Sequence, residues 1–283
     1  MSIRTAPVIS FDVAAANYGM VVDRLFRDLK AGAGGYVCIA NVHMVMEAWD
    51  DPGFRHVVDG ARMVTSDGMP LVWMLRAQGL SEAERVYGPT LTLHLCERAA
   101  AEELPIALYG GTRESLAAFR HFLADRYPSL RVVCAISPPF RPLTEEEDDV
   151  FTEAIRDSGA RLVFVGIGCP KQEKWMAAHA DRLPGAILAG VGAAFDFHSG
   201  RVRQAPPVLQ RLGLEWAFRL AMEPRRLFLR YAVHNPRFVF LALRQLVSRP
   251  WRRVPRGAEP ATDRSAIGPS RERSARNLHR ERL

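Results

Sequence analysis

Residues 62–90 of the chain, RMVTSDGMPLVWMLRAQGLSEAERVYGPT, contain the change of pattern that decides the fold. The apolar run 63–65 ends at Ser-Asp-Gly, residues 66–68, and apolar residues then return with helical spacing. Asp67 is therefore predicted at the carboxyl end of a strand, the edge where open α/β sheets bind ligands. Arg85 follows beyond the predicted helix, so the segment offers a carboxylate base and a cation suited to an anionic leaving group.

Asp67 also has a purely structural interpretation. Aspartate is a preferred N-cap, and Pro70 suits the first turn of a helix that begins near Gly68. The spacing is equally consistent with a base and with a cap, so the sequence leaves both roles open.

Outward from this segment, apolar runs alternate with amphipathic helical segments such as residues 112–126 and 144–157. Short apolar runs that do not alternate with polar residues indicate a parallel sheet covered on both faces. The six predicted strands are residues 36–40, 63–65, 106–109, 132–136, 162–165 and 186–191. We therefore predict an α/β fold, a Rossmann-like doubly wound parallel sheet with a helical, basic C-terminal appendage.

Charge divides the chain into two unequal parts. Residues 201–283 contain 19 arginines, no lysine and 6 acidic residues, a balance of +13. The whole chain carries +7, so residues 1–200 carry −6. Such asymmetry indicates a polyanionic partner, either nucleic acid or an anionic membrane surface. We predict a catalytic core over 1–205, a helical membrane-associating appendage over 206–248 and a disordered basic tail over 249–283.

The appendage mixes apolar residues with arginine over residues 214–247, LEWAFRLAMEPRRLFLRYAVHNPRFVFLALRQLV. Arg230, Arg237 and Arg244 are seven residues apart and would share one face of a continuous helix. Pro236 predicts a kink or a break in that helix.

The composition is that of an ordinary globular protein, with 48% hydrophobic and 24% charged residues. No two of the four cysteines form a CxxC pair, which argues against both a zinc site and a disulfide framework and fits a reducing cytoplasm. The N-terminus lacks an apolar signal region, and no stretch is long enough to span a bilayer, so neither secretion nor membrane insertion is predicted.

Two glycine-rich loops follow predicted strands and lead into helices, at residues 108–112 (LYGGT) and 165–172 (VGIGCPKQ). Free backbone amides and a positive helix end suit such loops to anions. Neither loop matches GxGxxG, and tight connections between strand and helix produce the same pattern. The candidate anion or sugar ligands in these loops are Gly110, Gly111, Gly168, Lys171 and Gln172.

Other polar residues have structural explanations. Thr144 and Glu147 have capping-box spacing, so the acidic run 144–149 is predicted to begin a helix. No Asp-x-Asp triplet occurs, and no metal ligands are predicted. His43 and His198 have no recognisable partner in the sequence, which predicts structural or surface roles for both.

Two further side chains at strand ends allow two roles each. Asn41 closes the first predicted strand and suits either a helix cap or a contact with a nucleotide or sugar. Asp196, in the Phe-Asp-Phe sequence after Gly-Val-Gly, suits either a buried hydrogen bond or substrate binding.

Eight segments together carry a family resemblance. In chain order they are NVH (41–43), TSDGMPLVW (65–73), ERVYGPT (84–90), LYGG (108–111), SPPFRPLT (137–144), VGIGCPKQEKW (165–175), GVGAAFDFHSGRVRQAP (190–206) and GLEWAFRLAMEPRR (213–226). Their order, over roughly residues 8–240, resembles the WecG/TagA/CpsF family of bacterial glycosyltransferases, glycosyltransferase family 26.

The resemblance implies an inverting, metal-independent transfer that needs no cofactor. The donor it implies is a UDP-sugar, typically UDP-N-acetylmannosamine, and the acceptor is a sugar on a polyprenyl diphosphate. By the same resemblance, Asp67 is the catalytic base and Arg85 lies near the donor diphosphate. The other matching residues are Gln172 in the substrate pocket and Asn41 in the first strand-end motif. Arg219 and Arg226 match arginines of the appendage that closes the site at the membrane.

Two positions depart from the family pattern. Ile39 stands where many members have threonine, and Thr90 ends Gly-Pro-Thr where many members have Gly-x-Asp. Both positions lie near the expected donor pocket, and Thr90 is predicted to contact the donor. They leave the donor open between UDP-N-acetylmannosamine and a related UDP-hexose or UDP-hexuronic acid.

The sequence thus predicts a cytoplasmic glycosyltransferase, peripheral on the inner face of the plasma membrane, that builds a lipid-linked exopolysaccharide or cell-surface glycan. Its predicted partners are the UDP-sugar, the polyprenyl-diphosphate-linked acceptor and the anionic membrane surface, and nucleic acid is not among them. A nucleic-acid-binding protein that uses the basic tail is one alternative, although the tail lacks a recognition motif. A Rossmann-type oxidoreductase is another, weakened by the missing nucleotide fingerprint.

Overall fold

The computed structural model of the 283-residue chain describes residues 2–248, apart from the side chains of Pro207 and Arg211. Within that range the chain forms two sheets, a two-stranded antiparallel hairpin and a six-stranded parallel sheet. The strands are β1 Thr5–Val8, β2 Phe11–Ala14, β3 Gly35–Ala40, β4 Met63–Ser66, β5 Ile106–Gly110, β6 Val132–Ile136, β7 Leu162–Gly166 and β8 Ile187–Gly190.

Helices connect the strands and cover both faces of the parallel sheet. Those of the core are α1 Tyr18–Lys30, α2 Val42–Asp50, α3 Pro52–Asp59, α4 Met69–Ala77, α5 Gly88–Ala101, α6 Arg113–Arg126, α7 Glu145–Asp157, α8 Lys171–His179 and α9 Ala194–His198. Those of the appendage are α10 Pro207–Arg211, α11 Glu215–Met222 and α12 Pro224–Ser248. Within residues 2–248, no helix combines the length and apolar character needed to cross a membrane.

The strand order β4-β3-β8-β7-β5-β6 makes the sheet doubly wound. From β3 the chain moves to the edge strand β4 and then crosses to β5 on the other side of β8 and β7, so the direction of winding reverses. Side chains of β3 alternate between two cores, with Cys38 and Ala40 on one face and Val37 and Ile39 on the other. The predicted Rossmann-like α/β fold is confirmed.

The six predicted strands all exist, and each predicted end lies within one residue of the observed end. The hairpin of β1 and β2 was not predicted, because neither of its strands, TAPV and FDVA, is an unbroken apolar run. The predicted capping box is confirmed, since Thr144 and Glu147 satisfy each other's backbone amides at the start of α7.

Helix α12 continues through Pro236 as a single helix, so of the predicted kink or break the break is wrong, and the kink stays a prediction. The helix packs against α2, where Phe238 and Ala242 are buried and the Arg237 guanidinium pairs with both carboxylate oxygens of Asp50. Tertiary contacts of this kind outweigh the hydrogen bond that a proline removes. The boundary at residue 205 stays a prediction, and the tail predicted to be disordered, 249–283, lies outside the described residues.

The structure predicts that Gly110 tolerates no side chain. Its φ is +128°, and an added Cβ would overlap the backbone of Gly166 on the neighbouring strand β7. We expect Gly110→Ala to lower the free energy of unfolding by about 3 kcal/mol or more, since backbone strain and overpacking add. Gly159→Ala is the matched control, because Gly159 also has a positive φ but open space around it, and should cost only about 1–2 kcal/mol. Urea unfolding measures both, and equal losses would refute the close-approach explanation.

Candidate functional site

A cavity of about 590 Å³ lies where the carboxyl ends of β3 and β4 meet the appendage. Its polar lining comes from the core and from all three helices of the appendage, whereas α4 and α12 supply most of its apolar lining. The polar lining residues include Asn41, His43, Asp67, Arg85, Gln210, Glu215, Arg219, Arg230 and His234. The apolar residues include Trp73, Met74, Leu214, Trp216, Phe238, Val239, Leu243 and Leu246.

Asp67 lies directly after β4, as predicted, and its side chain is 20% exposed. Its backbone N–H donates to the carbonyl oxygen of Ala40 at 2.8 Å, which fixes the residue beside the end of β3. The N-cap of α4 is Gly68, and no side chain caps that helix. The cap interpretation of Asp67 is therefore wrong, and its carboxylate is available to the cavity.

Arg85 links Asp67 to the appendage. Its Nε donates to the backbone oxygen of Asp67 at 2.5 Å, and its Nη2 donates to the Asp67 carboxylate at 3.2 Å and to the Glu215 carboxylate at 2.5 Å. Nη1 donates to the side-chain oxygen of Gln210 at 3.3 Å, and the guanidinium lies 4.3 Å from the centre of the Tyr87 ring. The arginine predicted to face the donor diphosphate is thus held by partners within the protein.

These neighbours set the protonation of Asp67. Burial raises the pKa of its carboxyl to about 6, the positive charge of Arg85 opposes that rise, and the negative charge of Glu215 adds to it. Arg219 lies near enough to lower the pKa of Asp67 slightly. A carboxylate with a pKa close to neutrality is suited to accept a proton from a substrate hydroxyl.

The arginines of the appendage differ in their surroundings. Arg219 and Arg230 line the cavity, and neither forms an ion pair within residues 2–248. Arg226, predicted with Arg219, is more than half exposed, pairs with Glu223 and does not line the cavity. Two unpaired guanidinium groups in one cavity can bind an anion such as a diphosphate.

Asn41 combines the two roles that the sequence allowed. Its side-chain oxygen accepts from the backbone N–H of Met44 at 3.2 Å and so caps α2. It also lines the cavity. The cap uses only the oxygen, which leaves the amide hydrogens for a ligand.

The remaining predicted ligands lie outside the cavity lining. Gln172 is buried, donates to the Glu173 carboxylate at 2.7 Å and accepts from the backbone N–H of Gly192 at 3.2 Å. It therefore joins the first turn of α8 to the loop after β8. Thr90 lies in the first turn of α5, and Lys171 begins α8. Gly110 ends β5, Gly111 and Gly168 lie in the loops after β5 and β7, and all three have positive φ.

Two other polar residues have structural roles. The Nε2 atom of His198 lies 2.8 Å from the carbonyl oxygen of Pro89, and its ring stacks on Phe119 and Phe122. The Asp196 carboxylate accepts a 2.6 Å hydrogen bond from the Ser115 hydroxyl, which favours the structural alternative for Asp196.

Sequence reasoning missed the contribution of Glu215 and Gln210, although GLEWAF was among the segments that carried the resemblance. It also missed a cluster of His43, Glu47 and His234, whose ligand atoms all lie within 4.8 Å of one another. Burial, Arg230 and His234 lower the pKa of His43 to about 3, so its imidazole is neutral near pH 7. The i,i+4 spacing of His43 and Glu47 was the available signal.

Comparison with known families identifies the chain. Residues 6–252 match the family described as Glycosyl transferase WecG/TagA/CpsF family. The chain belongs to this family. It is therefore a glycosyltransferase and acts with a sugar donor and an acceptor. Membership confirms the resemblance drawn from the eight segments and leaves the oxidoreductase alternative without support.

The pKa of Asp67 predicts the acid limb of the pH–rate profile. A base works deprotonated, so activity should be full above about pH 6 and fall roughly tenfold per pH unit below it. Arg85→Gln should raise the apparent pKa and Glu215→Gln should lower it, because their charges act on Asp67 in opposite senses.

The measurement is kcat/KM against pH for the wild type and both variants. Glu223→Gln is the matched control on the appendage, since Glu223 pairs with Arg226 and does not line the cavity. An acid limb that stays at one pH in all four proteins would show that Asp67 is not the titrating group.

Proposed function

We propose that this protein is an inverting glycosyltransferase that moves a sugar from a UDP-sugar to a sugar on a polyprenyl diphosphate at a membrane surface. The observation that carries the proposal is the cavity itself. The polar part of its lining contains the Asp67 carboxyl, which has a raised pKa and lies among arginines. The apolar part is formed largely by α4 and α12. This division suits an acceptor with an anionic sugar head and a hydrocarbon tail.

In the proposed reaction, Asp67 accepts the proton of the acceptor hydroxyl as its oxygen attacks the anomeric carbon. The bond between that carbon and the UDP oxygen breaks in the same displacement, so the configuration inverts. UDP leaves with its electron pair. A single aspartate is sufficient for this route, because no covalent sugar–enzyme intermediate is formed.

Arg219 and Arg230 neutralise the charge of the departing UDP. They are the cavity arginines without an acidic partner among the described residues. Charge-assisted hydrogen bonds from guanidinium groups stabilise phosphate oxygens in a partly buried site. Magnesium is then not required for departure. Arg85 has a different part, since it positions Asp67 and holds Glu215 of the appendage beside it.

The exposed surface of the appendage supports a membrane partner. Apolar side chains are exposed on all three of its helices and in the connection between α10 and α11. They are Val208, Leu212, Leu214, Trp216, Met222, Phe228, Leu229, Val233, Val239, Phe240, Leu243 and Val247. Arg225, Arg226 and Arg244 are exposed among them. Apolar burial at the headgroup boundary and attraction to anionic lipids add in such a surface. Nucleic acids are bound mainly through hydrogen bonds to phosphate and sugar, and exposed aliphatic side chains do not supply such contacts. The apolar surface therefore disfavours the nucleic-acid alternative.

For the donor, we propose UDP-N-acetylmannosamine or a related UDP-hexose or UDP-hexuronic acid, as the family resemblance implied. The product would be a lipid-linked exopolysaccharide or cell-surface glycan assembled on the inner face of the plasma membrane.

The function is tested by transfer of radiolabelled sugar from a panel of UDP-sugars to a short-chain polyprenyl diphosphate sugar. Asp67→Asn should lower kcat about a hundredfold or more and leave UDP binding nearly unchanged, because a general base acts in the transition state. Added Mg²⁺ or Mn²⁺ should not raise the wild-type rate.

Asp12→Asn is the control, since Asp12 is an exposed aspartate in β2 that lies outside the cavity lining. Undiminished turnover by a folded Asp67→Asn variant would refute the base assignment. Release of free sugar without dependence on the acceptor would indicate hydrolysis instead of transfer.

Membrane attachment is tested with anionic vesicles. Phe228 and Phe240 are 61% and 65% exposed on α12, and burying each in the headgroup boundary contributes about 1.5–3 kcal/mol. The double change of Phe228→Ser and Phe240→Ser should therefore weaken vesicle binding by at least about a hundredfold. Arg244→Gln should weaken it about fivefold and reduce its salt sensitivity.

Phe140→Ser is the matched control, because Phe140 is 83% exposed in a loop of the core away from the appendage. Vesicle flotation measures all the variants in the full-length chain. Equal losses for the α12 and Phe140 variants would refute a specific membrane face, and preference for DNA over anionic vesicles would favour the nucleic-acid alternative.

A further inference from the structure

Three metal-ligating side chains meet where α12 crosses α2. His43 and Glu47 are one helical turn apart on α2, and His234 reaches them from α12. The Nδ1 atom of His43 lies 3.5 Å from Oε1 of Glu47, and Nε2 of His234 lies 3.7 Å from the same oxygen. Ligands around one tetrahedral zinc ion are separated by about 3.3 Å, given metal–ligand distances near 2.0–2.1 Å.

Two of the three side chains have a buried ring nitrogen without a hydrogen-bond partner within residues 2–248, Nδ1 of His43 and Nδ1 of His234. The His43 side chain is 13% exposed, and its ring also contacts the backbone of Cys169. Both His–Glu separations exceed normal hydrogen-bond length. A buried donor or acceptor without a partner costs free energy. An ion bound among the three side chains would contact one ligand atom of each, a ring nitrogen of His43, a carboxylate oxygen of Glu47 and a ring nitrogen of His234.

The charges around the cluster limit what that group is. Glu47 is the single carboxylate of the set, and Asp50 on the same helix is already paired with Arg237. Arg230 lies near His43 and repels a cation. A weakly held cation such as Mg²⁺, which prefers oxygen ligands, does not fit this environment. Zn²⁺ binds neutral imidazole strongly and uses sets of two histidines and one carboxylate.

We infer that His43, Glu47 and His234 bind one divalent transition-metal ion, with Zn²⁺ as the ion the ligand set favours, and that this ion fastens α12 to α2. His43 and His234 also line the cavity, so coordination positions not filled by the protein are open to water or an anionic ligand there. The ion is distinct from any magnesium bridging a diphosphate, and the proposed role of Arg219 and Arg230 is unchanged.

Zinc binding is measured on the full-length chain after treatment with a chelator and dialysis, by competition with a chromophoric chelator. We expect one ion per chain, bound with a dissociation constant below about 1 µM. His234→Ala and Glu47→Gln should each weaken binding at least about tenfold. Co²⁺ substitution should give visible absorption bands in the wild type that His43→Ala loses.

The matched control is His121→Ala, because His121 is an 81% exposed histidine on α6 that also faces an acidic residue one turn away. Zinc should raise the thermal unfolding temperature of the wild type and the control but not of His234→Ala. Circular dichroism checks that each variant is folded. Absence of stoichiometric binding, or equal affinity in His234→Ala and wild type, would overturn the inference. Neither readout uses the sugar substrates, so a failed transfer assay leaves this test intact.

Discussion

The guanidinium of Arg85, held between the carboxylates of Asp67 and Glu215, is the contact on which the site depends. Asp67 belongs to the sheet edge and Glu215 to α11, so one cation joins the core to the appendage. Partial burial strengthens the attraction and also makes an unpaired charge costly. The arrangement therefore sets the pKa of Asp67 and completes the cavity wall at the same time.

Local sequence was sufficient for most of the fold. The strands of the parallel sheet are buried on both faces, so each appears as an unbroken apolar run, and 132–136 was bounded correctly at both ends. Asp67 could be placed because a strand end and a helix start are both local signals. The hairpin at residues 5–14 was missed because its strands, TAPV and FDVA, are not unbroken apolar runs.

The rest of the site could not be predicted, because it depends on contacts between distant residues. Glu215 is 130 positions from Arg85, and His234 meets His43 only after α12 has packed across α2. Gln172 illustrates the opposite error, since a polar residue at a helix start looked available to a ligand and is buried against Glu173. The continuity of α12 through Pro236 likewise follows from packing that local preference does not include.

The position of Glu215 on the appendage has a thermodynamic consequence. The Glu215 carboxylate changes the proton affinity of Asp67 only while α11 is docked on the core. By linkage, the docking free energy of α11 must therefore depend on whether Asp67 carries a proton. Docking and protonation then share one coupling free energy. If lipid contact favours docking, the bilayer becomes an allosteric effector of the base, because the docked Glu215 carboxylate raises the proton affinity of Asp67.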